Sequence, residues 1–384
     1  MPDFLYFLAD ETHPVNENEA DGHHTNKAST RVSLNEPLPQ KPDCNTIHTG
    51  ITYGDYFNKA KDFISRNNFS NIRKALSAHL DHEPEPHEIT MVKIFLEKHG
   101  ELYHPARLHI IYKDKTYQFV LNLAFSEAAR SIIKREFGLL KKLHDHNEFI
   151  PRVYVYDQDV QPASITAAMI LGEWFDGFSE FHVTEPEKGR KLIGPVVLWD
   201  AQKGRIILKE KEAFDIYRNA AKILAYYYDI GTSEEISPWH HAAGDFVAKQ
   251  TDTGIDVRLI TIRGYQSRTT HSPENEDDIF LGIIRFFIVM TLKMRIDRID
   301  GTGKSVFLDG FVLKAAVKGF FDGLMLRSPE LSAILRQHLT SINDKMIKIL
   351  LNEYVSTLPK HLADFRLTAA HADAHAKAVQ KALR

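Results

Sequence analysis

The sequence predicts an α+β protein, in which a small antiparallel β-rich module precedes a larger helical one. Three observations carry this. Two runs of alternating apolar and polar residues, Ala106–Lys113 and Tyr117–Phe125, flank a short Lys113-Asp114-Lys115-Thr116 turn. The apolar period then lengthens to that of a helix from Glu127. Beyond Ala213 nearly every patterned stretch is helical, apart from one hairpin.

The elements follow in chain order. Phe4–Leu8 is a short apolar run suited to an edge strand or an anchor. Residues 11–50 are rich in Asn, Glu, Thr, His and Pro without a sustained apolar period, and read as a disordered or loosely draped arm. Phe57, Ala60, Ile64, Ile72, Ala75, Leu76 and Leu80 recur at helical steps. The prolines of His82–His87 break that pattern. Ile89, Val92, Ile94, Phe95 and Leu96 read as a second helix ended by Gly100. The Glu127–Leu143 helix carries Ile132, Ile133, Phe137, Leu140 and Leu143 on one stripe. Pro151–Tyr156 and Ile165–Leu171 read as strands, which gives the order strand, strand, helix, strand, strand.

Ala213–Ile230 reads as a helix closed by Gly231, followed by the polar loop Ser237–Gly244. A hairpin of Asp245–Lys249 and Val257–Ile262 follows, joined through residues 250–254. Ile279–Ile296 is strongly apolar, but Arg285, Lys293 and Arg295 interrupt it, so a buried core helix is expected rather than a membrane span. Helices are expected over 305–325 and 329–357, and a surface helix over 363–384. The domain division is then an arm (1–50), a helical extension (51–100), a β-rich lobe (101–175) and a helical lobe (176–384).

The 384 residues hold 48 Lys plus Arg against 51 Asp plus Glu, a formal charge of −3. That balance excludes a generally basic nucleic-acid binder. One cysteine, Cys44, excludes an intrachain disulfide framework and a multi-cysteine zinc site. With no basic leader, no membrane span and no lipid-anchoring motif, the expected location is the cytoplasm.

Over roughly residues 100–350, this order resembles the two-lobed protein-kinase-like fold, and its second lobe looks closest to the aminoglycoside phosphotransferase and choline kinase branch. The strings Gly172–His182 (GEWFDGFSEFH) and Pro238–Val247 (PWHHAAGDFV) resemble a bacterial group with this fold. The resemblance implies ATP and magnesium as cofactors and a nucleotide or small molecule as ligand. Its chemistry needs a strand lysine on the phosphates, a helix glutamate holding that lysine, a catalytic aspartate, and an asparagine and an aspartate on the metal.

Carried over residue by residue, the helix glutamate falls on Glu136 and the strand lysine on Asn122, whose amide supplies no positive charge. With the hairpin as register, Asp245 stands at the metal asparagine, Thr261 at the metal aspartate and His240 at the catalytic aspartate. A competing register makes Gly244-Asp245-Phe246 the catalytic motif and Gln250 the metal ligand. No glycine-rich loop lies between Tyr103 and Phe119. Glu173 and Trp174 fall in the interlobe hinge that contacts adenine in the family, and Met169 guards the rear of that pocket.

Each candidate also has a plainer role. His240, His241 and Asp245 form a ligand set for a divalent ion, with histidine also a general base near neutral pH. They equally cap loop carbonyls and fill the core, and adjacent histidines on an extended chain point to opposite sides. Glu136 suits a solvated side chain or a partner for Lys134 or Arg135, and Gly172–Gly177 suits a turn with aromatic packing. Arg258 and Arg263 suit an anion, a pairing with Glu136 or Asp245, or an exposed strand face. His182 adds a histidine near the hinge string. His371 and His375 are one helical turn apart around Asp373, in a segment read as solvated surface. Gly301-Thr302-Gly303-Lys304-Ser305 imitates the end of a phosphate-binding loop but lacks its first glycine and strand, and reads as a turn.

Four functions compete on these residues. One is a kinase-like protein with degraded phosphotransfer motifs that acts as a ligand-binding regulator. Another is an atypical phosphotransferase with His240 as base, Asp245 on metal and Arg263 on phosphate. The third is a metal-dependent enzyme using His240, His241 and Asp245, and the fourth a scaffold.

Overall fold

The protein is described by a computed structural model covering residues 2–9, 11, 14–15, 32–39, 50–100, 102–159, 165–185, 195–200, 203–241, 244–268, 273–361 and 363–384. Cys44 and most of the expected arm lie outside these residues. The chain divides into two compact units, Met1–Asp145 with Pro151–Asp176 and His146–Ile150 with Gly177–Arg384. Both mix helices and sheets, so the α+β class holds.

The first unit is built on β1 (Asp3–Leu8), β2 (Pro14–Val15), β3 (Ile89–Leu96), β4 (His104–Tyr112), β5 (Lys115–Ala124), β6 (Val153–Gln158) and β7 (Ala168–Glu173). They form one sheet in the order β2-β1-β3-β4-β5-β7-β6. All neighbours are antiparallel except β1 and β3. The Phe4–Leu8 run is therefore paired on both sides and is not an edge.

Ile89–Leu96 is a strand, not the helix its apolar spacing suggests. Val92, Ile94 and Leu96 pair with Ile110, Leu108 and Ala106 and point into one core. Phe95 points the other way and stacks on Phe7, with ring centroids 4.8 Å apart. Apolar residues on both faces give a continuous run that imitates helical spacing.

Helix α1 (Tyr53–Ser77) opens on a capping box. Thr52 Oγ1 accepts from the Asp55 N–H, and the Asp55 carboxylate accepts from the Thr52 N–H. The helix is broken at Arg66–Phe69, where Asn67, Asn68 and Phe69 take positive φ. Its Phe57, Phe63, Ile64 and Ile72 pack with Leu121, Leu123, Met169 and Leu171 of the sheet. Part of the expected arm belongs to this core, because Leu38 is buried in it and Pro37 bridges Thr52. Helix α2 (Glu127–His144), capped by Ser126, packs on the opposite face against Ala124, Ala168 and Ile170.

The second unit opens with a sheet that the sequence reading does not contain: β8 (Glu180–Val183), β9 (Val196–Asp200) and β10 (Gly204–Ile207), in the order β10-β9-β8. Helix α3 (Glu210–Tyr226) follows, then β11 (Glu234–Ile236), β12 (Phe246–Thr251), β13 (Gly254–Leu259) and β14 (Tyr265–Ser267). β11 pairs with β14, and β12 pairs with β13. The hairpin is tighter than expected: Thr251 pairs with Gly254 across a two-residue turn.

The remaining elements are α4 (Glu276–Lys293), the hairpin of β15 (Ile296–Arg298) and β16 (Ser305–Phe307), α5 (Gly310–Arg327), α6 (Pro329–Ser341), α7 (Asp344–Thr357) and α8 (Ala363–Leu383). The Gly301–Ser305 string closes the β15–β16 hairpin as a turn and strand start. α5 lies against α3 with glycines at the contact. A Cβ on Gly319 would stand 2.0 Å from the Arg218 carbonyl oxygen, and one on Gly323 2.4 Å from that of Lys222. No helix among the described residues is long and apolar enough to cross a membrane.

The terminal helix is not a solvated surface segment. Ala372, His375, Ala376 and Val379 of α8 are buried. His375 lies 3.3 Å from both Thr291 Oγ1 and Arg295 Nη1. His371 stacks on Phe307 at 4.1 Å, and the Arg295 guanidinium lies over the same Phe307 ring at 4.2 Å. Small alanines let the helix approach closely, which a hydropathy pattern undervalues.

Candidate functional site

Strand β11 feeds the loop from Ser237 to Asp245, and β12 follows it. The loop ends are fixed by backbone bonds, from Ser237 N–H to the Gly264 oxygen and from Ile260 N–H to the Asp245 oxygen. Gly244 has φ +72, a backbone conformation that residues with a Cβ rarely adopt, so glycine is favoured there.

Asp245 is 1% exposed. Its Oδ2 accepts from the His240 backbone N–H at 2.8 Å and from Arg263 Nη1 at 2.9 Å, while Arg263 Nη2 lies 2.7 Å from Oδ1. The guanidinium thus lies against both carboxylate oxygens, with a hydrogen bond to Oδ2 and an ion-pair contact to Oδ1. Of the two partners expected for Arg263, the structure brings it to Asp245. Arg258 pairs with Asp256, its near neighbour on β13.

His240 and His241 do not diverge. Their rings stack at 5.4 Å with 26° between planes, because the loop turns here instead of running extended. His240 Nε2 lies 3.8 Å from Asp364 Oδ2 at the start of α8. Burial, reinforced by neighbouring His241, lowers the His240 imidazole to about 3. His241 is 1% exposed, lies among Phe181, Tyr217 and Trp239, and points Nε2 at Asp297 Oδ2 at 3.4 Å. Asp297 is fully buried on β15, and its Oδ1 accepts from the Arg298 N–H at 2.7 Å. The Tyr217 hydroxyl is 3.5 Å from Oδ2, and burial raises it well above the ordinary phenol range.

A further carboxylate of the same neighbourhood is Glu235, held by Arg268 Nε at 2.5 Å and raised by burial. Lys293, at the end of α4, places its ammonium 4.4 Å from the Trp239 ring centre. Burial lowers it to about 8, with Arg268 adding to the effect. Among the described residues no group of three or more His, Cys, Asp or Glu side chains could hold a metal ion. The expected metal pair of His241 and Asp245 is not brought together as such: Asp245 turns to Arg263, and His241 turns to Asp297. Thr261, at the register position of the family's metal aspartate, is buried, and His182 lies 3.4 Å from Glu180.

In the first unit, Glu136 is 1% exposed on α2. Strand alternation puts Asn122 on the same sheet face as Ala124, the face that α2 covers. Met169 packs on the other face, in the core with α1. Glu173 ends β7 and accepts from the Arg152 N–H through its carboxylate. The Arg107 guanidinium lies 5.7 Å from the Trp174 ring centre.

Asp297, Lys293, Glu235, Arg268 and Asp364 are not among the site residues that the sequence suggests. One signal was present: Lys293 interrupts an otherwise apolar helix, and a charge there needs company. The chain matches no protein-family model and none of the curated proteins.

Proposed function

We propose that this is a kinase-like protein whose phosphotransfer site has been silenced, and which acts as a regulator by binding a nucleotide or another small ligand. The strand-strand-helix-strand-strand order over β4–β7, followed by α3, a loop and the β12–β13 hairpin, supports the kinase-like part. One observation carries the silencing. The carboxylate standing at the metal position, Asp245, has both oxygens engaged by Arg263. An arginine stays protonated at any physiological pH, so this pair is neutral and holds no charge in reserve for magnesium. Asn122 and Thr261 remove two further charges on which phosphoryl transfer depends.

Thermal unfolding of the full chain with ATP, ADP and GTP, each with and without magnesium, tests this. The expected result is nucleotide stabilisation that magnesium leaves unchanged, about 2.7 kcal/mol at a hundred times the dissociation constant, with no phosphate transfer. Magnesium-dependent transfer that Asp245→Ala abolishes would overturn the silencing. No stabilisation by any nucleotide would overturn the nucleotide as ligand.

A further inference from the structure

Lys293 ends α4 behind the uncharged run Phe286–Leu292, and its ammonium reaches the Trp239 ring instead of a carboxylate. A half-buried ammonium ordinarily takes an anionic partner. Among the described residues Lys293 makes no ion pair and no hydrogen bond, and its nitrogen is not sealed from solvent. The charges that act on it are Arg268, Glu235, Asp245 and Asp364. Two of the three carboxylates are committed elsewhere, Glu235 to Arg268 and Asp245 to Arg263. Asp364 lies beside His240 and is the most exposed of the three. The lysine is left with a ring face and a neighbouring guanidinium. Burial, with Arg268 adding to it, brings it down from 10.5 to about 8.

These are the conditions that make a lysine a nucleophile: a nitrogen within reach, free of hydrogen bonds, in a desolvated place beside another cation. The partner of such an amine is a carbonyl carbon. His240, Arg263, Arg268 and Asp364 are all partly exposed, which gives a small molecule a way in. Arg268 spends Nε on Glu235 and Nη2 on Ser237, which leaves Nη1 for an acidic substituent.

We propose that Lys293 is a covalent binding site for a small carbonyl compound carrying an acidic group, held as an imine on Nζ with the acid on Arg268. The neutral amine adds its lone pair to the carbonyl carbon, and the C=O π pair moves to oxygen. A proton passes from nitrogen to that oxygen and gives a carbinolamine. The C–O bond then breaks with protonation of the hydroxyl, and the nitrogen lone pair closes the C=N bond. One ammonium and one carbonyl thus become one iminium and one water, with no change of oxidation state. The iminium keeps its positive charge over the face of Trp239. The assignment does not depend on the nucleotide reading.

Reductive trapping of the full chain tests it. The protein is incubated with glyoxylate at about pH 7.5, reduced with cyanoborohydride, digested and mapped by mass spectrometry. The expected result is a carboxymethyl group on Lys293, introduced about tenfold or more faster than on any other amine. Its rate should rise through about pH 8, well below the range of an exposed lysine. Acetaldehyde, which lacks the acid, should label Lys293 several-fold more slowly relative to the other lysines. Lys293→Met should lose the fast label and keep the circular dichroism of the parent, while the map of the unaltered chain needs no variant at all. Lys293 left unlabelled, or labelled no faster than the surface lysines, overturns the site. Equal trapping of glyoxylate and acetaldehyde at Lys293 overturns the acidic group and its place on Arg268.

Discussion

Arg263 closes on both carboxylate oxygens of Asp245, at 2.7 and 2.9 Å, while the His240 N–H takes the remaining direction on Oδ2. The pair spans the loop before β12 and the segment after β13, so it fixes the loop to the hairpin that follows. Its partners differ in exposure: the arginine side chain is 25% exposed and the aspartate 1%.

That asymmetry makes Arg263→Ala worse than the loss of an exposed ion pair. It leaves a buried carboxylate with one backbone donor. The expected cost is on the order of 2–4 kcal/mol, read by urea denaturation. Arg263→Lys should recover only part of it, since a compact ammonium cannot lie against both oxygens as the planar guanidinium does. A cost under about 0.5 kcal/mol for Arg263→Ala would show that the pair is slack, as exposed pairs often are, and the silencing of Asp245 would lose its support.

Much of this neighbourhood was legible in sequence and part was not, for physical reasons. His240, His241 and Asp245 stand out because they are polar and adjacent in one loop. Asp297 and Asp364 lie far along the chain from that loop and meet its histidines only in folded space, and local pattern carries no trace of such a meeting. The order of β4, β5, α2, β6 and β7 could be read because each element has one dominant period. Ile89–Leu96 could not, because it pairs in the sheet with the distant β1 as well as with β4, and both of its faces are apolar. β8 and β9 are short and far apart in sequence, and neither strand is long enough to establish an alternation of its own.

The capping box at α1 gives a second prediction. Thr52 and Asp55 each satisfy a backbone N–H that the helix start leaves open. Thr52→Ala should cost about 1 kcal/mol and Thr52→Ser much less, as measured by chemical denaturation. Equal effects from both would assign the loss to the threonine methyl group and not to the cap.

The α3–α5 contact yields a steric prediction. Gly319→Ala would put a Cβ 2.0 Å from the Arg218 carbonyl oxygen, which is backbone and cannot swing away. The helices must part, and the expected destabilisation is about 3 kcal/mol or more. Gly138, on α2, has nothing within 4 Å of the same added atom, so Gly138→Ala is the control and should be neutral or stabilising. Melting temperatures of the two variants should move in different directions, and a common shift would discard the close-contact argument.

The anchor of α8 predicts a pH dependence. His375 is fully buried between Thr291 and Arg295, and burial, with help from Arg295, lowers it from 6.5 to about 3. Between those two values the unfolded chain takes up a proton that the folded chain refuses. Stability from this group is therefore complete above pH 6.5 and is lost as the pH falls towards 3, by up to about 1.4 kcal/mol per pH unit. Urea denaturation of the protein and of His375→Gln from pH 7 to pH 5 measures the difference. The variant should start less stable, having lost the fitted ring, but its stability should fall less steeply with acid. Parallel slopes would show that His375 titrates normally, and that α8 is held by the stacked His371, Phe307 and Arg295 side chains without it.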